Sequence, residues 1–172
     1  MGRDIKHHKS FILIEIVKEK IVELFNTNSF KNHFDFNENN DYIFTNFRDP
    51  YDNNIRIMFH KIENNIYELD FTVNGSSYSS SVDYSLKDYT SLIKTVYEAV
   101  NQFLDEFSPK AIAIEGVDSI NKIRKGKEGQ KSLIYKYASY FLKPHDGYKI
   151  LYNQNGNINI IKKQENGKFS NM

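Results

Sequence analysis

An alternating segment between residues 66 and 73 constrains the fold more than any other part of the sequence. From Tyr67 to Val73, apolar side chains occupy every second position and polar side chains lie between them. Successive side chains of a strand point to opposite faces, so this pattern predicts a strand with one buried face. Residues 54–61 also have the composition of a strand, and the Glu63-Asn64-Asn65 sequence between the two segments is typical of a turn. The two segments therefore predict an antiparallel hairpin.

A later segment, which ends at Phe107, has the spacing of an amphipathic helix. Its apolar side chains recur every three or four positions, and Pro109 lies just beyond its end. Asp88 or Thr90 has a side chain suited to capping the first turn. The short apolar run Ala111–Glu115 lacks polar alternation and predicts a strand buried on both faces. We therefore expect the helix to pack across the sheet that it leads into.

The remaining segments predict two more helices and four more strands. The chain has 172 residues, of which 40% are hydrophobic, and this is sufficient for one domain with a buried core. We expect a single α+β domain over residues 1–172, with an ordered core over about residues 9–163. Its sheet should be largely antiparallel, with three helices packed mainly on one face. The further helices are predicted at Ser10–Asn26 and Lys131–Leu142, and the further strands at Asp41–Phe47, Tyr78–Tyr84, Tyr148–Tyr152 and Ile158–Lys162.

Several classes of site are disfavoured by what the sequence lacks. The chain contains no cysteine, which excludes disulfide bonds, cysteine-ligated zinc and thiol catalysis. The apolar run Phe11–Val17 is interrupted by Glu15 and followed by Lys18, so it predicts neither a secretory signal peptide nor a membrane span. The five histidines form no HxxxH or HxH pair, and no serine lies in a nucleophile-elbow motif. We predict no catalytic residue and no cofactor.

Charge is distributed unevenly along the chain. Residues 1–107 hold 11 Lys and Arg against 17 Asp and Glu, whereas residues 108–172 hold 12 against 5, so the formal charges of the two parts are −6 and +7. This asymmetry favours an anionic partner for the C-terminal part, or head-to-tail contact between copies of the chain. The alternative is that the two parts fold against each other and their charges interleave on one surface.

A basic segment between residues 122 and 131 is the strongest candidate for binding an anion or a nucleic acid. Cationic side chains neutralise phosphates, and the tyrosines that follow this segment could stack on bases. The alternative is a solvated loop followed by a helix whose aromatic side chains face the core. Two glycines lie in the segment, but their spacing is not that of a P-loop. The candidate binding residues are Lys122, Arg124, Lys125, Lys127 and Lys131.

Acidic side chains on the predicted strands form a weaker candidate site. Glu68 and Asp70 point to the same face of the alternating strand, and Glu115 could join them if its strand is adjacent. Three carboxylates could hold a divalent metal in a nuclease-like site, and cleavage would then require magnesium or manganese and be abolished by Asp70→Asn. The alternative is that these acids line the solvated face of an antiparallel sheet.

The C-terminal half resembles small uncharacterised proteins of bacteriophages and of Bacteroidetes-type genomes. The resemblance covers about residues 90–150, and it implies a phage or mobile-element protein located in the virion or in the host cytoplasm. It supplies no active site. It implies a virion component or an accessory protein that binds a phage or host factor. The residues that carry it are Thr95-Val96, Phe103, Pro109, Ile112, Ile114, Gly116, Lys131 and Ile134-Tyr135.

Our leading hypothesis is a non-enzymatic protein that acts through protein–protein contacts, including contacts with other copies of itself. Nucleic-acid binding by the basic segment and metal-dependent nuclease activity remain as alternatives from other functional classes.

Overall fold

The computed structural model describes residues 26–76, 82–114, 145–152 and 157–164, which contain seven strands and one helix. The strands are β1 (Asn37–Glu38), β2 (Tyr42–Arg48), β3 (Asn54–Glu63), β4 (Ile66–Val73), β5 (Ala111–Ile114), β6 (Tyr148–Tyr152) and β7 (Ile158–Lys162), and the helix is α1 (Leu86–Phe107).

All seven strands belong to one sheet, in the order β1-β2-β3-β4-β5-β7-β6. Every neighbouring pair is antiparallel except β4 and β5, which are parallel. Parallel neighbours need a crossover connection, and α1 supplies it between β4 and β5. The α+β class and the largely antiparallel sheet are confirmed.

The hairpin predicted around residues 54–73 is present as β3 and β4. Asn65 in its turn has φ +62°, a left-handed conformation that asparagine tolerates better than most residues. A second turn follows β4, where Asn74 and Gly75 have φ +52° and +81°, and Val73 and Ser76 pair through both of their backbone hydrogen bonds. Two consecutive positive φ angles are the requirement of a type I′ turn.

The helix begins earlier than the sequence pattern indicates. Ser85, rather than Asp88 or Thr90, is the N-cap residue: its hydroxyl accepts a hydrogen bond from the Asp88 backbone N–H at 3.1 Å. Thr90 lies within the helix and donates its hydroxyl proton to the Leu86 carbonyl at 2.8 Å. The prediction was wrong because Leu86 is exposed at the first helical position and does not extend the apolar stripe.

The hydrophobic core lies between α1 and one face of the sheet. Phe103 of α1 stacks on Phe59 of β3, with their ring centroids 3.8 Å apart. Buried side chains of β2, β3 and β4 belong to the same core cluster as those of α1. The segment before β1 is held against α1 by hydrogen bonds. The Gln102 side chain accepts from the backbone N–H of Phe34 at 2.9 Å and donates to its carbonyl at 2.6 Å. The expectation that α1 packs across the sheet is confirmed.

Other predicted elements fall wholly or largely outside the described residues. The helix at Lys131–Leu142 lies outside them entirely, as does the helix at Ser10–Asn26 except for its last residue. The strand expected at Tyr78–Tyr84 is described only from Val82, and residues 82–84 do not form a strand. The short strand β1 was not predicted. Within the described part of the chain the sheet is therefore covered by one helix instead of three.

Candidate functional site

The sheet has a second surface, formed by side chains that point away from α1 and called here the far face. Met58, Ala111 and Ile161 on this face are at most 9% exposed, yet they lie outside the core cluster under α1. Strand register assigns the face to alternate residues from Tyr42 to Arg48, from Asn54 to His60 and from Ile66 to Thr72, together with Ala111, Ala113, Lys149, Leu151, Asn159 and Ile161. Most of its polar and aromatic side chains are partly exposed.

An aromatic patch lies on the β2–β3 side of the far face and consists of Tyr42, Phe44, Arg56 and His60. The centroid of the Tyr42 ring lies 5.5 Å from the centroid of the Phe44 ring and 5.3 Å from that of the His60 ring. The Arg56 guanidinium carbon lies 5.0 Å from the centre of the Phe44 ring, a cation–π contact. Arg56 Nε also donates to the Asn46 side-chain oxygen at 2.8 Å. The guanidinium is therefore held in place over the ring.

The acidic pair Glu68 and Asp70 lies on β4, beside the aromatic patch. In the sheet register Glu68 is opposite His60, and Asp70 is opposite Met58. Asp70 Oδ1 accepts the backbone N–H of Phe71 at 2.8 Å. The ion pairs within the described ranges join other residues, Arg48 with Asp52 and Lys61 with Glu38 among them, and none uses the acidic pair.

The carboxylate cluster predicted for a metal is not assembled by the residues that the structure describes. The adjacency that it requires is present, since β5 pairs with β4 and places Ala113 opposite Glu68. Glu115, however, lies outside the described residues. No group of three or more His, Cys, Asp or Glu side chains among the described residues could hold a metal ion.

The five candidate residues of the basic segment also lie outside the described residues, so its interaction with nucleic acid stays a prediction. They are Lys122, Arg124, Lys125, Lys127 and Lys131.

A histidine–carboxylate pair joins the end of α1 to the start of β6. His145 Nε2 lies 2.5 Å from Asp105 Oδ1, and His145 Nδ1 accepts the backbone N–H of Gly147 at 3.3 Å. Tyr148 donates its hydroxyl proton to the Pro109 carbonyl at 2.8 Å. Both ring nitrogens of His145 are therefore engaged within the protein. This pair fastens β6 to the helix.

A buried carboxylate, Asp49, organises the connection between β2 and β3. It accepts the backbone N–H groups of Tyr51 and Asn53 at 2.9 and 2.8 Å, the Asn53 side-chain amide at 2.9 Å, and the hydroxyl of Tyr84. Burial raises the pKa of Asp49, but the hydrogen bonds from Tyr84, Asn53 and Tyr51 outweigh burial and hold that pKa below its ordinary value. Burial and the same bond to Asp49 raise the pKa of the Tyr84 phenol. All these partners are internal, which indicates a structural role.

Comparison with known proteins supplies no family for this chain. No protein-family model matches the sequence, and no curated protein matches it. Among the described residues there is no helix that is both long enough and apolar enough to cross a membrane.

Sequence reasoning missed the aromatic patch, although it located the strands that carry it. In β2 both phases of the alternation contain apolar residues, so Tyr42 and Phe44 could not be distinguished from Ile43 by pattern. The signal that could have found the patch is pairing: in the β2–β3 register, Tyr42 and Phe44 share a face with His60 and Arg56.

Proposed function

We propose that this chain is a non-enzymatic phage-type protein that acts through protein–protein contacts, and that the aromatic patch on the far face is its contact site. The carrying observation is the arrangement of Tyr42, Phe44 and Arg56, with the guanidinium fixed over the Phe44 ring and hydrogen bonded to Asn46. The phage assignment rests on the resemblance of residues 90–150 alone.

The composition of the patch supports a protein partner. Tyrosine, phenylalanine, methionine and arginine are enriched at protein interfaces, and tyrosine and arginine are enriched among the residues whose loss weakens binding most. Met58 lies opposite Phe44 in the sheet register, but it is only 9% exposed and so adds little contact surface. A preorganised arginine also loses less conformational entropy on binding than a freely rotating one.

The charges beside the aromatic patch favour a protein partner over a nucleic-acid partner at this face. Aromatic rings and an arginine could also stack on bases, but Glu68 and Asp70 lie on the adjacent strand. Carboxylates repel the phosphate backbone, whose attraction to cations supplies most nucleic-acid affinity. A protein partner can place its own cations against them.

Site-specific photo-crosslinking tests this proposal. A photoreactive phenylalanine analogue replaces Phe44, and the protein is irradiated in the cells that naturally produce it. Because the patch is a contact site, we expect one discrete protein adduct, either with a second copy of the chain or with another protein.

The matched control places the same analogue at Leu86, which is 53% exposed and lies at the start of α1. Exposure alone would give Leu86 at least as many adducts as the partly exposed Phe44. Equal adducts at both positions, no adduct at position 44, or an adduct with nucleic acid there would overturn the proposal.

A further inference from the structure

A series of amide hydrogen bonds ties the turn after β4 to the connection between β2 and β3. The backbone N–H of Asn54 donates to Asn74 Oδ1 at 2.8 Å, and Asn74 Nδ2 donates to Asn53 Oδ1 at 2.9 Å. Asn53 Nδ2 in turn donates to Asp49 Oδ2 at 2.9 Å. Because a carboxylate only accepts, Asp49 fixes which end of the Asn53 amide faces Asn74. We call these three side chains, together with the Asn54 N–H, the amide clamp.

The amide clamp holds an asparagine that is followed by a glycine, Gly75. Glycine has no side chain to shield its backbone nitrogen, and in such a sequence this nitrogen can attack Asn74 Cγ. A bond forms between the two atoms, the bond from Cγ to Nδ2 breaks, and ammonia leaves with the proton of the glycine nitrogen. Water then opens the cyclic imide and leaves aspartate or isoaspartate at position 74.

We propose that Asn74 is a deamidation site that the amide clamp keeps unreactive while the chain is folded. Ring closure requires the side-chain carboxamide to turn toward the Gly75 nitrogen, so both of its hydrogen bonds in the clamp must break first. One hydrogen bond of this kind slows such a step by roughly twofold to tenfold. With two of them, Asn74 should react about tenfold or more slowly in the folded chain than in the denatured chain.

The backbone of the turn opposes the reaction as well. Asn74 and Gly75 have φ +52° and +81°, and the turn is closed by two backbone hydrogen bonds between Val73 and Ser76, of 3.0 and 3.1 Å. The Asn74 backbone N–H also donates to the Asn54 carbonyl at 2.8 Å. Ring closure joins the Asn74 side chain to the next peptide and must disturb this geometry. The reaction therefore depends on opening of this end of the hairpin and not on the dipeptide sequence alone.

The product of the reaction cannot rebuild the amide clamp. An aspartate at position 74 has no Nδ2 to donate, so its carboxylate faces Asn53 Oδ1, which is also an acceptor. Asn53 cannot exchange the two ends of its amide without losing its bond to Asp49. Isoaspartate inserts one more atom into the backbone, which a type I′ turn does not accommodate. The fraction of the two products at position 74 therefore records how often this end of the hairpin has opened.

Peptide mapping of the full chain by mass spectrometry tests the proposal. The protein is incubated at mildly alkaline pH, either folded in buffer or denatured in guanidinium chloride, and the rate of product formation at Asn74 is measured in each sample. Asn155-Gly156 and Asn166-Gly167 provide reference reactions in the denatured sample. We expect all three asparagines to react at similar rates when the chain is denatured, and Asn74 to react more slowly by about tenfold or more when it is folded.

Matched variants separate the effect of the amide clamp from that of folding in general. Asn53→Ala removes the acceptor of Asn74 Nδ2, so it should raise the rate at Asn74 in the folded chain severalfold. Asn64→Ala removes an exposed asparagine at the other end of the same hairpin and should leave that rate unchanged. Far-ultraviolet circular dichroism checks that both variants are folded. If Asn53→Ala is not, Asn53→Ser, which retains a hydroxyl donor, takes its place.

Equal rates at Asn74 in the folded and denatured wild type would overturn the proposal, because the fold would then give no protection. A folded Asn53 variant that reacts as slowly as the wild type would overturn the role of the amide clamp. Asn74→Asp, which carries one of the two products, should unfold at a lower denaturant concentration than Asn64→Asp, and equal midpoints would contradict the loss of the clamp in the product. None of these measurements involves the aromatic patch, so the proposed function is tested separately.

Discussion

At the scale of single residues, Asp49 shows how one buried carboxylate can fix a connection between strands. It is 5% exposed and accepts hydrogen bonds from Tyr51, Asn53 and Tyr84. We expect Asp49→Asn to lower the free energy of unfolding at neutral pH by about 1–3 kcal/mol, because these charge-assisted bonds become neutral and one amide hydrogen faces a donor. Urea denaturation measures the difference.

The pH dependence of this difference follows from the direction of the pKa shift. The hydrogen bonds to Asp49 hold its pKa in the folded protein below the ordinary value of 3.8. The ionised carboxylate therefore stabilises the fold fully above that value, and this stabilisation is lost as the pH falls through the lower folded pKa. The difference in the free energy of unfolding between wild type and Asp49→Asn should therefore become smaller as the pH is lowered. A difference that is constant with pH, or one as small as that caused by the exposed control substitution Asp83→Asn, would contradict this role.

Residue-level features were predictable where they are local. The Asn74-Gly75 sequence indicates a turn, and both residues have positive φ. Asp49 was not predictable, because its role depends on Tyr84, which is 35 positions away in the sequence. The aromatic patch has the same difficulty, since it is assembled from two strands.

At the scale of elements, the start of α1 depends on Ser85. Its hydroxyl accepts the Asp88 backbone N–H at 3.1 Å and donates to the Asp88 carboxylate at 2.9 Å. We expect Ser85→Ala to lower the free energy of unfolding by about 1 kcal/mol, because an N–H of the first turn loses its acceptor. Chemical denaturation measures this loss. Ser85→Thr, which keeps a hydroxyl that can both accept from the Asp88 N–H and donate to its carboxylate, should be close to wild type, and an equal loss in both variants would argue against a capping role.

Elements with strong periodicity were predictable, and short polar ones were not. The strands β2 to β5 and the helix α1 were predicted from alternation and helical spacing. Their ends in the structure differ from the predicted ends by a few residues. The two-residue strand β1, Asn37–Glu38, contains no apolar residue, so its sequence has the composition of a turn. It forms because it pairs with β2, and this pairing depends on the tertiary structure and not on the local sequence.

At the scale of the whole molecule, the two oppositely charged parts of the chain share one sheet. Strands β2 to β4 belong to the acidic part, and β5 to β7 belong to the basic part. Among the described residues the basic part contributes Lys110, Lys149, Lys162 and Lys163, and its other eight cationic residues lie outside them. Composition predicted the imbalance. The juxtaposition of Arg56 with the acidic pair required the register of β3 on β4.

The basic segment and the far face are two candidate binding sites, and oligonucleotide binding distinguishes between them. The basic segment carries five cationic residues between positions 122 and 131, whereas the far face mixes Arg56 with Glu68 and Asp70. We expect the wild type to retain a single-stranded oligonucleotide at low salt, with retention falling as salt rises because counterions compete for the phosphates. Fluorescence anisotropy of a labelled oligonucleotide measures this retention.

Variants assign any such binding to its surface. Replacing Lys122, Arg124, Lys125, Lys127 and Lys131 together by glutamine should abolish retention, because the segment then carries no cation to pair with phosphates. The matched variant Arg56→Gln should bind as the wild type does, since carboxylates on the next strand already make the far face unfavourable for a polyanion. Loss of oligonucleotide retention in Arg56→Gln would assign nucleic-acid binding to the far face, and it would count against a protein partner at that face. Absence of retention by the wild type at low salt would remove nucleic acid as a partner of the basic segment.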